Sequence, residues 1–124
     1  MIEFIKSRIV SFGHAFHGWA YVIRNEKNAW IHAIATICVV IVATWLNIPL
    51  RDWAMLVIVV AMVWSAEFLN TSIEAVVDLA SPTHHPLAKV GKDVGAAAVL
   101  IAAGAAIIVG LLILGPPLWH RLFG

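Results

Sequence analysis

Three carboxylates, Glu67, Glu74 and Asp78, recur at spacings of seven and four in a stretch that reads as one continuous helix, with Asn70 and Thr71 beside them. At ~100° per residue, Glu74 falls about 20° to one side of Glu67 and Asp78 about 20° to the other, so all three share a face. Like charges on one face repel, and a carboxylate removed from water is costly unless it is paired or metal-bound. A purely structural role would need cations from neighbouring segments, and Lys89 and Lys92 could supply some. A divalent cation, which takes hard oxygen ligands, relieves the same repulsion. Glu26 and the Lys92-Asp93 pair are further candidates, provided the fold brings them to the same side. Carboxylates with a lysine suit Mg²⁺-assisted phosphoryl transfer: metal and lysine offset phosphate charge while a free carboxylate accepts a hydroxyl proton. No Walker-A sequence, dinucleotide fingerprint or protein-kinase signature accompanies them.

The elements that must position these groups are unusual. Of 124 residues, 62% are hydrophobic and only 12% charged, and the mean hydropathy is +0.94. A water-soluble chain this small needs more polar surface, so its apolar side chains must face lipid. One domain, residues 1–124, is expected. A net charge of +1 offers no basic stripe for phosphate backbones and argues against nucleic acid. The single cysteine, Cys38, lies in an apolar run without metal-site spacing and reads as a packing residue.

Three apolar stretches, residues 30–46, 53–69 and 94–114, each approach the ~20 residues that a helix needs to cross a bilayer. Helices are the open-chain solution there, because unpaired backbone groups find no water. The five prolines, Pro49, Pro82, Pro86, Pro116 and Pro117, fall between or after these stretches and suggest where the helices end. Residues 1–29 differ. Ile5, Ile9, Phe12, Phe16, Trp19 and Ile23 form one narrow stripe, with Lys6, Ser7, His14, His17 and Arg24 on the other faces. This pattern predicts an amphipathic helix lying in the membrane interface, with an ordinary bundle helix as the alternative. Polar residues recurring from Glu3 to Lys27 leave no apolar core for a signal peptide.

With three spans, the N-terminal segment and the second loop share a side. That side carries Lys6, Arg8, Arg24, Lys27, Lys89 and Lys92, against Arg51 and Arg121 opposite, which places it in the cytoplasm with ATP. In the third span Ala98, Ala102, Ala106 and Gly110 repeat every four residues, a smooth row suited to close helix packing. Three spans make a thin bundle, so self-association is expected. No internal repeat or low-complexity tract is present.

The segment from Glu67 to Asp78, followed by Lys92-Asp93-Val94-Gly95-Ala96-Ala97-Ala98-Val99-Leu100, resembles the signature of the prokaryotic diacylglycerol kinase and undecaprenol kinase family. Asn25-Glu26 and the run from Ser11 to Gly18 are similar too, and the likeness extends from about Ser7 to Gly110. The resemblance implies an all-α membrane protein of the bacterial inner membrane: an interfacial helix and three transmembrane helices, assembled as a homotrimer with active sites shared between subunits. It implies transfer of the γ-phosphate of MgATP to the hydroxyl of a membrane lipid. Carried over residue by residue, it makes Glu67 the general base and Glu26 and Glu74 the metal-binding carboxylates beside ATP. Lys92 and Asp93 become nucleotide contacts, with Thr83, His84 and His85 in the loop, while Asn70 and Asp78 organise the site. His14 stands where diacylglycerol kinases often have a nucleotide-packing tyrosine. Ile31-His32, Leu79 after Asp78 and the Pro86-Leu87-Ala88-Lys89 turn lean towards the undecaprenol branch, with diacylglycerol as the alternative acceptor. His32 taken alone reads as a hydrogen-bonded helix residue. Two other classes compete: a small ion or proton transporter, which intramembrane carboxylates also suggest, and a structural membrane subunit. Acidic residues clustered towards one surface, without broken helices or inverted repeats, weigh against transport.

Overall fold

The computed structural model describes residues 1–124 as four helices: α1, Ile2–Asn25; α2, Lys27–Leu46; α3, Leu50–Ala80; and α4, Pro86–Phe123. There are no strands. The last three are long and apolar enough to cross a membrane. Only 13 of the 124 residues are buried, so the helices present their apolar sides outward. Leu100, Ile101 and Leu112 are 74%, 74% and 71% exposed, as lipid-facing side chains are.

The amphipathic stripe of α1 stays largely off the bundle. Ile5, Ile9, Phe12 and Phe16 are exposed, and only the C-terminal end of α1 is tied down, through buried Val22 and through Trp19. Trp19 packs against Trp64 and Phe68 of α3, with ring centroids 4.9 and 4.7 Å apart. An apolar stripe left free beside spanning helices suits an interfacial helix better than a bundle helix. Glu26 then interrupts the helix with extended backbone (φ −100°, ψ 115°), so α2 starts in a new direction.

α2 ends where Asn47 adopts the left-handed conformation (φ 52°, ψ 47°), which an asparagine tolerates. Pro49 caps α3, and the two helices form a tight antiparallel hairpin. Ala43, Ile48 and Leu56 form the core at this end.

α3 and α4 make the most extensive helix pair. The buried residues of α4 are Gly95, Val99 and Ala102, not the row of every fourth residue expected from sequence. Steps of four and three hold one face of a 3.6-residue helix, whereas repeated steps of four drift by ~40° each. Ala102 belongs to both sets; Ala98 is exposed, and Ala106 and Gly110 line a cavity instead.

α4 also continues through Pro116 and Pro117, where the sequence suggested an end. The prolines remove the donors that would meet the carbonyls of Leu112 and Ile113, yet the last turns are held by other contacts. Trp119 and Phe123 stack at 4.7 Å. The Arg121 guanidinium lies 5.6 Å over the Trp45 ring and donates to the Trp45 carbonyl oxygen at 3.5 Å.

Candidate active site

The acidic face of α3 survives intact in the fold, and its members meet different fates. Glu67 is 1% exposed and is the largest fully buried side chain. Its two oxygens have no hydrogen-bond partner. Thr71 donates its hydroxyl to the Glu67 carbonyl oxygen at 3.0 Å, which occupies the backbone and leaves the carboxylate free. Asn70, one turn on, is also buried. Its Nδ2 donates to Glu74 Oε1 at 2.8 Å and fixes that carboxylate, while its own Oδ1 is unpartnered. Gly95 of α4 lies so close to Asn70 that a Cβ there would collide with Oδ1. This glycine is required by the approach of the two helices.

Glu26 joins Glu67 and Glu74 from the α1–α2 junction. Its carboxyl is pushed above the ordinary value of 4.5, by burial first and then by the charges of Glu74 and Glu67. As the residue preceding α2 it makes no side-chain capping bond, so its oxygens remain available. No lysine or arginine nitrogen lies within 4.0 Å of Glu26, Glu67 or Glu74. The structural explanation for the acidic stripe therefore covers its outer part, where Lys92 Nζ meets Asp78 Oδ1 at 2.5 Å and its charge also acts on Glu74, and does not reach Glu67.

The remaining candidates sit apart from this trio. Asp93 pairs with Lys89 at 2.5 Å, one turn away on α4. His85 caps α4, its Nδ1 accepting from the Leu87 N–H at 3.2 Å, which gives it a structural task. The Thr83 carbonyl oxygen accepts from the Ser81 hydroxyl at 2.9 Å. Thr83, His84 and His85 are exposed in the α3–α4 loop, and His14 is exposed on α1; no hydrogen bond or ion pair ties any of them to the carboxylates. One group that the sequence marked only as a pointer to the acceptor lipid, and not as a site residue, stands beside Glu67. His32 of α2 places Nε2 3.5 Å from Glu67 Oε2. The signal was available: His32 and Glu67 lie at similar distances from the Asn47–Pro49 turn, so an antiparallel hairpin sets them at similar depth.

An apolar cavity of about 510 Å³ opens between α2, α3 and α4. Val39, Val60, Val63 and Leu111 are among its walls, and His32 and Thr36 are among its few polar lining residues. One buried carboxylate without an ion-pair partner among lysines and arginines, flanked by two half-buried ones and beside an apolar cavity, suits chemistry at a lipid headgroup.

The family model for prokaryotic diacylglycerol kinase matches residues 13–114. The chain belongs to the prokaryotic diacylglycerol kinase family. It is thus an integral membrane lipid kinase of bacterial type, and phosphoryl transfer from a nucleotide is its chemistry. Its relatives include the undecaprenol kinase of Bacillus subtilis (strain 168), 40% identical over 108 residues that cover 87% of this chain and 88% of that protein. The diacylglycerol kinase of Synechocystis sp. is 40% identical over 111 residues, covering 89% of this chain and 63% of that protein. The diacylglycerol kinase of Escherichia coli (strain K12) is 34% identical over 106 residues, 86% and 87% of the two chains.

The donor set also fits a divalent ion. No three histidine, cysteine or acidic side chains converge as a complete protein cage would require. Mg²⁺ in kinases is held differently, by one or two carboxylates together with substrate phosphates and water. Glu26 and Glu74, hard oxygen donors that repel one another and make no direct ion pair with a lysine or arginine, match that requirement.

Proposed function

We propose that this kinase transfers the γ-phosphate of MgATP to the hydroxyl of undecaprenol, giving undecaprenyl phosphate. The observation that carries the reading is buried Glu67, its oxygens without partners, with Glu26 and Glu74 near enough to act on it and on one another through their charges and no lysine or arginine within ion-pair distance of the three. Glu67, the deepest, accepts the lipid hydroxyl proton. Glu26 and Glu74 hold Mg²⁺ against the phosphates. The bound ion supplies neutralisation of the charge on the transferring group. Asn70 keeps Glu74 oriented through its 2.8 Å bond. Lys92 exchanges or shares its Asp78 partner with phosphate, and breaking an exposed pair of this kind costs only ~0–1 kcal/mol. Asp93, His14, Thr83, His84 and His85 complete the nucleotide contacts, as the family resemblance implies.

The acceptor reading rests on Ile31-His32 and on the likeness to a protein named undecaprenol kinase that spans nearly its full length. Diacylglycerol is the second reading, favoured by the names of the Synechocystis and E. coli relatives. The N-terminus and the α3–α4 loop face the cytoplasm, following the distribution of lysine and arginine. The chain assembles as a homotrimer whose subunits share each site, as the family resemblance implies.

Glu67→Gln tests the central role. General-base assistance is worth ~10²–10⁴-fold, so turnover should fall by about that factor while ATP affinity and thermal stability stay near wild type. Turnover within a few-fold of wild type, or a fall only in step with lost folding, removes Glu67 from the chemistry.

A further inference from the structure

Within 4.0 Å of the Glu67 carboxylate the only basic nitrogen is His32 Nε2, at 3.5 Å. That is too long for a formed hydrogen bond, and His32 Nε2, Glu67 Oε1 and Glu67 Oε2 are all buried without partners. Leaving such groups unsatisfied is expensive, each costing its own desolvation. A histidine serving only as helix filler would place this nitrogen against a carbonyl or in lipid-side water; here it faces a second orphan. Trp64, which packs against the ring, is itself held from α2. The Thr36 hydroxyl donates to the His32 carbonyl oxygen at 2.7 Å, and Trp64 Nε1 donates to that Thr36 hydroxyl at 3.3 Å. The Trp64 ring meets the imidazole edge-on, with centroids 6.3 Å apart. His32 further lines the apolar cavity between α2, α3 and α4, which Glu67 does not. The imidazole therefore stands where the cavity meets the carboxylate.

We propose that His32 is the positioning partner of Glu67, donating from Nε2–H to one carboxylate oxygen so that the other meets a lipid hydroxyl entering from the cavity. The proposal rests on Glu67 being the base. Catalytic hydrogen bonds are often long before substrate binds and tighten with it, and closing this one needs a shift of only ~0.5 Å. In the step itself, the lipid hydroxyl proton passes to Glu67 as the new oxygen–phosphorus bond forms. The bond from the γ-phosphorus to the bridging oxygen breaks, and ADP leaves with the electron pair. His32 donates throughout and changes no proton.

The test compares H32L and H32Q, alone and in the E67Q background, using purified protein with undecaprenol and MgATP. Glutamine presents a donor near the reach of Nε2; leucine keeps the bulk and removes it. H32L should lower kcat by ~10–100-fold, the value of a hydrogen bond to a charged group, with the KM for ATP within about twofold of wild type. H32Q should recover most of the loss, and H32L added to E67Q should cost nothing further. Should H32L fail to fold, H32Q and H32N carry the comparison, because asparagine falls short of the Nε2 position and should lose turnover where glutamine keeps it. The proposal is overturned by H32L turning over within about twofold of wild type, by equal losses in both backgrounds, or by glutamine doing no better than its comparator. An E67Q enzyme that keeps its turnover sinks the base reading instead, whereas an inactive E67Q beside a fully active H32L sinks His32 alone.

Discussion

Glu26 carries a cost that the proposed metal site would explain. Its carboxyl is raised above 4.5 by burial, by Glu74 and by Glu67, so the folded state favours the protonated form more than the unfolded chain does. That contribution is complete below pH 4.5 and is lost as pH rises through the folded value. At neutral pH the ionised group works against folding unless a cation is bound. Glu26→Gln in divalent-free buffer should therefore melt above wild type at about pH 7, and the difference should vanish in acid. Added Mg²⁺ should raise the melting temperature of wild type and not of the variant. An unchanged or lower melting point for the variant at neutral pH would show that the repulsion is relieved by something in the protein. Glu74→Gln removes a proposed ligand while keeping the Asn70 contact possible. It should weaken MgATP at least as much as the ~10–100-fold that loss of an outer-shell partner costs, with wild-type-like turnover at saturating MgATP as the contrary result.

At the scale of the elements, Gly95 sets how closely α3 and α4 approach. Gly95→Ala would drive a methyl group into Asn70 Oδ1. Alanine gains ~1 kcal/mol over glycine in a helix, while overpacking a fitted contact costs ~1–3 kcal/mol, so destabilisation should win. Activity should fall further than stability does, because Asn70 holds Glu74. Removing the clash with Asn70→Ala in the same chain should restore the melting temperature but not turnover; recovery of both would mean that Asn70 has no part in the site. Much of this arrangement is legible in the sequence. Glu67, Asn70 and Glu74 lie on one helix, where spacing alone fixes the shared face. What joins helices is less legible. The approach of Glu26 depends on the single extended residue between α1 and α2, and the meeting of His32 with Glu67 depends on the left-handed turn at Asn47. Neither leaves a periodic signal. The continuation of α4 through Pro116 and Pro117 escapes a local rule because distant groups, Trp45 and Arg121, hold the last turns in place.

For the whole molecule, three long apolar helices and mostly exposed apolar side chains leave lipid or further copies of the chain as the covering. Lys6, Arg8, Arg24, Lys27, Lys89 and Lys92 on one side, against Arg51 and Arg121 on the other, predict an N-terminal reporter in the cytoplasm and a C-terminal one outside it. Both reporters on one side would contradict three spans. In the proposed orientation Glu26, Glu67 and Glu74 would face the ATP compartment, with the apolar cavity between α2, α3 and α4 available to the chain of a long-chain alcohol. The most direct test is phosphoryl transfer from labelled ATP by the purified chain, with Mg²⁺ and equal mole fractions of undecaprenol and diacylglycerol in the same micelles. Undecaprenol should be phosphorylated with a kcat/KM at least ~10-fold higher, a preference of about 1.4 kcal/mol. Equal or faster transfer to diacylglycerol would contradict the assignment.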